Sequence, residues 1–167
     1  VLLEHPGASV VTNLSTSRMI DDLASRFGAT VHRAAVGEAN VAALMRHHSS
    51  MIGGEGNGGI ILPSIHYGRD ALIGIALFLS HLVEKNCSVS NLRKQYPSYY
   101  MAKKKIDISN ISFEKIFQKL KTEFSDCEII EIDGLKINFK DSSWVHLRKS
   151  NTEEIIRIYS EADSILK

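Results

Sequence analysis

Two polar clusters in this sequence hold residue types that do chemistry together. The first is Arg148-Lys149-Ser150-Asn151-Thr152-Glu153-Glu154-Ile155-Ile156-Arg157, in which two arginines, two hydroxyls and a turn-forming Asn stand between apolar runs. Arginine presents a planar fork of donors that matches the oxygens of a phosphate, Ser and Thr add short hydroxyl donors, and an Asn-centred turn aims backbone N–H groups inward. The predicted chemistry is phosphate binding by Arg148, Ser150, Asn151, Thr152 and Arg157. The competing reading is a hairpin whose arginines pair with Glu153 and Glu154, and phosphate is favoured over it. Arg157 is the least determined of the five, because on a strand its side chain points to either face.

The second cluster is Gly53-Gly54-Glu55-Gly56-Asn57-Gly58-Gly59, whose five glycines leave one carboxylate and one amide on display. A carboxylate accepts from two neighbouring hydroxyls, so Glu55 suits a vicinal diol, with Asn57 beside it. Diol and phosphate together describe a phosphorylated polyol. Other polar residues read more plainly. Asp70 precedes an apolar helix and is expected to cap it, and Lys103-Lys104-Lys105 reads as a solvated strand edge. His47, His48 and His66 have no carboxylate pair spaced to complete a metal site, so surface or capping roles are expected and no metal ligand is assigned.

The elements that must position these clusters follow from periodicity. Ala8 to Leu14 reads as a buried strand ending in the turn Ser15-Thr16-Ser17; Met19, Ile20, Leu23 and Phe27 recur at helical spacing, with Asp21 and Asp22 near the start and Gly28 as a stop. Thr30 to Val36 is a second strand, Glu38 to Arg46 a second helix, and Met51-Ile52 and Ile60-Ile61-Leu62 are short strands around the glycine loop. A third helix runs from about Asp70 to Val83. The alternation predicts an α/β layer over a mixed, partly parallel sheet. Lys85 to Ser98 is polar, contains Pro97 and reads as a linker with a helical turn, a hinge about which the last domain rotates onto a ligand. Beyond it, Tyr99 to Ile106, Glu128 to Ile132, Leu135 to Phe139, Trp144 to Leu147 and Ile155 to Tyr159 read as strands, and Phe113, Ile116, Phe117 and Leu120 as a helix face. Asp133-Gly134 is a type I′ hairpin signal. The expected fold class is α/β: an α/β layered mixed sheet, then an α+β domain with a mainly antiparallel four-stranded sheet and flanking helices. The expected boundaries are residues 1–85, 86–98 as linker and 99–167.

Composition agrees with two domains, since ten of the eleven glycines fall in residues 1–85 and nine of the twelve aromatics in residues 86–167. Six Lys+Arg against seven Asp+Glu in the first part, and fourteen against twelve in the second, give neither part the one-signed excess that nucleic acid or an anionic membrane requires. Cys87 and Cys127 make no zinc spacing and no disulfide framework, which fits reduced thiols in a cytoplasmic protein. No run is apolar for long enough to be a signal peptide or a membrane span. With no initiator Met, and with Val1-Leu2-Leu3-Glu4-His5-Pro6-Gly7 reading as a helix tail broken by Pro-Gly, the chain is expected to begin within a domain.

The two loops, in this order, resemble those of the α-D-phosphohexomutase family, which includes phosphomannomutases, phosphoglucomutases and phosphoglucosamine mutases. Its third domain carries Gly-Glu-x-Ser-Gly-His or Gly-Glu-x-Asn-Gly, and its fourth Arg-x-Ser-Asn/Gly-Thr-Glu followed by a second Arg. Here these are Gly54 to Gly58 and Arg148 to Glu153 with Arg157. Val11 to Arg18 and Ala35 to Ala39 also resemble third-domain elements of the family, and Gly37 and Glu38 stand where members touch the sugar. Asn57 replaces a more frequent Ser, and Gly59 stands where many members have His. The resemblance covers essentially the whole chain.

It implies reversible interconversion of hexose 1-phosphate and hexose 6-phosphate through a hexose 1,6-bisphosphate. It also implies a phosphoserine donor and a Mg²⁺-binding Asp-rich loop in earlier domains. Neither motif occurs here, so no catalytic residue is assigned and the chain alone is expected to be inactive. Its partners would be a phosphorylated hexose and the missing N-terminal domains. Two rivals stand beside this: a non-catalytic phosphosugar-binding or regulatory module, and a dinucleotide site. The second lacks the Gly-x-Gly-x-x-Gly order leading into a helix.

Overall fold

The computed structural model describes residues 1–107, 112–150 and 153–165. They form two compact units, Val1–Ser98 and Tyr99–Lys167.

In the first unit β1 (Ser9–Asn13) leads to α1 (Met19–Arg26), β2 (Thr30–Ala34), α2 (Glu38–His47), β3 (Ile52–Gly54) and β4 (Ile60–Ile61), followed by α3 (Ala71–Lys85) and α4 (Val89–Arg93). The sheet order is β2-β1-β3-β4: β1 runs parallel to β2 and β3, and β3 is antiparallel to β4. The mixed sheet is as expected. Val11 on β1 and Ile61 on β4 are fully buried with Val41, Ala42 and Met45 of α2, which fixes α2 on one face of the sheet. Gly28 ends α1 at φ +62°, and the Asp70 carboxylate accepts from the Ile73 N–H at 3.0 Å, the expected stop and cap.

Residues 86–98, read from sequence as a linker, fold with the first unit. Ser88 caps α4 through the Asn91 N–H, Leu92 is buried, and Arg26 on α1 reaches the Gln95 carbonyl.

The second unit contains β5 (Tyr100–Asp107), α5 (Phe113–Glu123), β6 (Glu128–Ile130), β7 (Leu135–Asn138), β8 (Trp144–Lys149) and β9 (Ile155–Ala162). All neighbours are antiparallel in the order β5-β9-β8-β7-β6. The sheet therefore has five strands and not the expected four. β9 extends three residues past the expected Tyr159, long enough to pair all eight residues of β5 on one side while holding β8 on the other. α5 is the one helix of this unit among the described residues, and its Phe113, Ile116, Phe117 and Leu120 pack on Leu147 and Ile156.

A second departure lies at Asp133-Gly134. β6 ends at Ile130, which is paired with Lys136, so the turn is longer than the two-residue type I′ form. Of the pair only Gly134 has positive φ, at +79°. A Cβ there would lie 2.2 Å from the Leu147 carbonyl oxygen and 2.9 Å from Arg148 Cα. The glycine is required by the close approach of β8, and that approach carries the turn to Arg148.

Candidate functional site

In the first unit the polar residues converge at the C-terminal ends of β1 and β3. The glycine loop is a tight reversal between β3 and β4: the Glu55 N–H donates to the Gly59 carbonyl (2.9 Å) and the Gly58 N–H to the Glu55 carbonyl (3.0 Å). Asn57 Oδ1 accepts from the Gly59 N–H at 3.1 Å, so the amide oxygen shapes the loop while its Nδ2 points back towards Glu55 Oε2, 3.5 Å away.

Glu55 is buried, its side chain only 4 % exposed. Its Oε1 accepts from Asn13 Nδ2 at 2.8 Å and from the Gly37 N–H at 3.1 Å. Oε2 has longer contacts, to Asn57 Nδ2 and to Arg69 Nη1 at 3.6 Å. One oxygen is thus fixed and the other turned toward the loop's polar edge. Asn13 is in turn fixed by its own oxygen, which accepts from the Ser15 N–H and the Thr16 hydroxyl, and the Thr16 hydroxyl oxygen accepts from the Gly56 N–H. Arg33 ties down the same turn through the Asn13 and Thr16 carbonyls and Asp21.

Both oxygens of Glu38 accept from a single residue: Oε1 from the Arg69 backbone N–H (3.0 Å) and Oε2 from Arg69 Nε (2.7 Å). These bonds hold the Glu38 carboxyl below the usual carboxylate range and push the Arg69 guanidinium up. Asp70 is lowered as well, by the Ile73 N–H and then by His66, whose Nε2 lies 3.1 Å from Oδ2. Sequence reasoning had no role for Asn13, Arg33 or Arg69. An Asn two residues before Ser-Thr at a strand end is a local signal for the first; the two arginines act across 12 to 31 residues and gave none.

A cavity of about 660 Å³ in this unit is bordered at one side by Thr16, Gly54 and Glu55. Val10, Ile20, Leu23, Phe27, Ile60 and Phe78 line much of it, and hydrocarbon of this kind does not suit a phosphorylated sugar.

In the second unit Arg148 lies on β8, which runs two residues past the expected Leu147. Its direct partner across the β8–β9 ladder is Arg157. Opposed residues of an antiparallel pair project to the same face with Cβ atoms about 5 Å apart, so the question left open for Arg157 is answered by register. The Ser150 N–H donates to the Ile155 carbonyl at 2.9 Å and closes the base of the loop, and Ser150 is buried. Arg148 Nε is buried 3.2 Å from Asp133 Oδ2 in an ion pair whose angle is too poor for a hydrogen bond. Arg157 pairs with Glu153 at 2.8 Å, one of the two pairings weighed in the hairpin reading. Asn151 and Thr152 lie outside the described residues.

No group of three or more His, Cys, Asp or Glu side chains among the described residues could hold a metal ion, so the residues present do not fit Mg²⁺. Among the same residues no helix is long and apolar enough to cross a membrane.

Residues 2–100 match the family model for phosphoglucomutase/phosphomannomutase, alpha/beta/alpha domain III, and residues 84–165 match the model for the C-terminal domain of the same proteins. The chain belongs to the phosphoglucomutase/phosphomannomutase family. Among its relatives, a phosphoglucomutase/phosphomannomutase of Thermococcus kodakarensis is 39 % identical over 166 residues, 98 % of this chain and 36 % of that protein. A phosphoglucosamine/phosphogalactosamine mutase of Sulfurisphaera tokodaii is 35 % identical over 92 % of this chain and 34 % of its own length. The fold matches a solved phosphoglucomutase/phosphomannomutase family protein of Burkholderia thailandensis with a TM-score of 0.80 at 23 % identity, over 99 % of this chain and 35 % of that one. This phosphohexomutase chain therefore spans about a third of the length of the relatives it matches, and corresponds to their domains III and IV.

Proposed function

We propose that this chain is the sugar- and phosphate-binding C-terminal part of a larger phosphohexomutase that interconverts hexose 1-phosphate and hexose 6-phosphate through a bisphosphorylated sugar. The observation that carries the reading is the register of Arg148 against Arg157. Like charges directly opposite on one face of a sheet repel, and a bound dianion turns that cost into attraction with matched donor geometry. Arg148, Arg157 and Ser150, with Asn151 and Thr152, take the phosphate that does not react. Glu55 and Asn57 take the sugar hydroxyls, while Gly37 and Glu38 hold them through Glu55 and Arg69.

The chemistry asked of these residues is placement. Fixing one phosphate and the hydroxyls of a rigid ring sets the far end of the sugar at a phosphoryl donor, and orientation of this kind supplies a large share of the lowering of a phosphoryl-transfer barrier. The phosphoserine and the Mg²⁺ loop belong to domains beyond this chain, which by itself binds without turnover. Phosphorus NMR of the parent protein given a hexose 1-phosphate and Mg²⁺ tests the reading: a growing hexose 6-phosphate signal supports it. Binding without conversion would favour a phosphosugar-binding regulatory module instead.

A further inference from the structure

Gly59 and Arg69 share one piece of space. A Cβ on Gly59 would lie 2.3 Å from Arg69 Cδ and 3.1 Å from Cγ, so the hydrocarbon stem of Arg69 lies over the end of the glycine loop where residue 59 has no side chain. Glu38 sets the orientation of that stem by accepting from the Arg69 N–H and from Nε. One edge of the guanidinium is thereby used. Nη1 lies 3.6 Å from Glu55 Oε2, beyond hydrogen-bond reach, and Nη2 has no hydrogen bond among the described residues. The Arg69 side chain is 44 % exposed while that of Glu55 is 4 % exposed, so the guanidinium is the outward member of the pair.

We propose that Arg69 is a ligand-contacting residue of the sugar site, donating from Nη1 and Nη2 to hydroxyl oxygens of the ring next to the hydroxyl that donates to Glu55 Oε2. A carboxylate only accepts and a guanidinium only donates, whereas each hydroxyl does both. A vicinal diol bridges the 3.6 Å gap with each group used in its own sense. Glu38 is then a positioning residue: it aims Arg69 and has no donor capacity to offer a sugar. The inference rests on the reading of this chain as the sugar-binding part of a phosphohexomutase.

The test is a cycle of variants against ligands in the parent protein, measuring dissociation constants for glucose 6-phosphate and its 2-, 3- and 4-deoxy analogues by calorimetry. Arg69→Met keeps a stem of similar length over Gly59 and removes the donors. It should bind glucose 6-phosphate about tenfold or more weakly, as expected for one charge-assisted hydrogen bond. One deoxy analogue that the unaltered protein binds about tenfold more weakly should suffer no additional loss in Arg69→Met. Glu38→Gln keeps an acceptor for the Arg69 N–H and should weaken all four ligands alike. Equal losses for every ligand in Arg69→Met, or no loss, overturn the proposal and leave Arg69 a clamp for Glu38. Arg148→Ala separates the two readings. If it abolishes binding while Arg69→Met shows no ligand dependence, only the Arg69 inference falls; if the unaltered protein binds none of the four sugars, both fall.

Discussion

Asn13 and Glu55, 42 residues apart, meet in a buried 2.8 Å hydrogen bond that joins the ends of β1 and β3. Because the Asn13 oxygen also receives the Ser15 N–H and the Thr16 hydroxyl, one amide sets both the β1–α1 turn and the glycine loop. Asn13→Ala removes the strongest partner of a buried carboxylate, and hydrogen bonds to charged groups contribute about 1.5–3 kcal/mol. Denaturant unfolding should record a loss of that size, and a sugar dissociation constant should rise with it. A stability change below about 0.5 kcal/mol would mean that Glu55 finds another donor in solution.

The opposed arginines predict stabilisation by anions. Inorganic phosphate should raise the thermal midpoint of the unaltered protein by mass action on the folded state, and Arg148→Ala should abolish that rise. Without phosphate the variant should still fold cooperatively but be less stable than the parent, because Asp133 loses its largely buried partner and relief of repulsion with Arg157 offsets only part of that. Equal phosphate-dependent stabilisation of both proteins would remove the case for an anion between Arg148 and Arg157.

Gly134→Ala tests whether the β6–β7 turn positions Arg148. A methyl at φ +79° placed 2.2 Å from the Leu147 carbonyl oxygen must displace one of the two segments. Such strain should cost about 2 kcal/mol or more. Amide chemical-shift changes should reach Arg148 as well as the turn; changes confined to residues 131–135 would separate the turn from Arg148.

His146 predicts acid sensitivity in the second unit. It is 1 % exposed, and burial pushes its pKa below the usual 6.5, partly opposed by the Asp133 carbonyl that lies 2.6 Å from Nε2. A histidine lowered in the folded state binds fewer protons there than when unfolded. Its stabilising contribution is therefore present above pH 6.5 and is lost as pH falls through the folded value. Urea midpoints should drop on acidification from pH 7.5 towards 5, and His146→Gln should flatten that part of the profile. An NMR titration placing the His146 imidazole above 6.5 would reverse the sign and defeat the prediction.

Much was legible in the sequence because it is local. The alternation of strand and helix, the stop at Gly28, the cap at Asp70 and the residue types of both loops depend on neighbours within one or two turns, where periodicity and capping act. The polar stretch at residues 86–98 shows the reach of such signals, since they contain no information on which unit it packs against. Its composition is that of a linker, yet Leu92 is buried and Tyr96 and Gln95 contact His81 and Arg26 of the first unit.

By itself the sequence determined that the chain has two folded parts, one with a glycine loop bearing Glu55 and one with an arginine loop, and it supplied the residue types from which a phosphorylated polyol was expected. The tertiary structure decided which way those groups face. Register across β8 and β9 put Arg157 opposite Arg148, all five strands of the second unit joined one sheet through the extended β9, and Glu38 came to face Arg69, 31 residues away, with both carboxylate oxygens engaged. Strand register and side-chain partners over such separations are set by packing of the whole domain, and a linear pattern with a reach of a few residues contains no term for them.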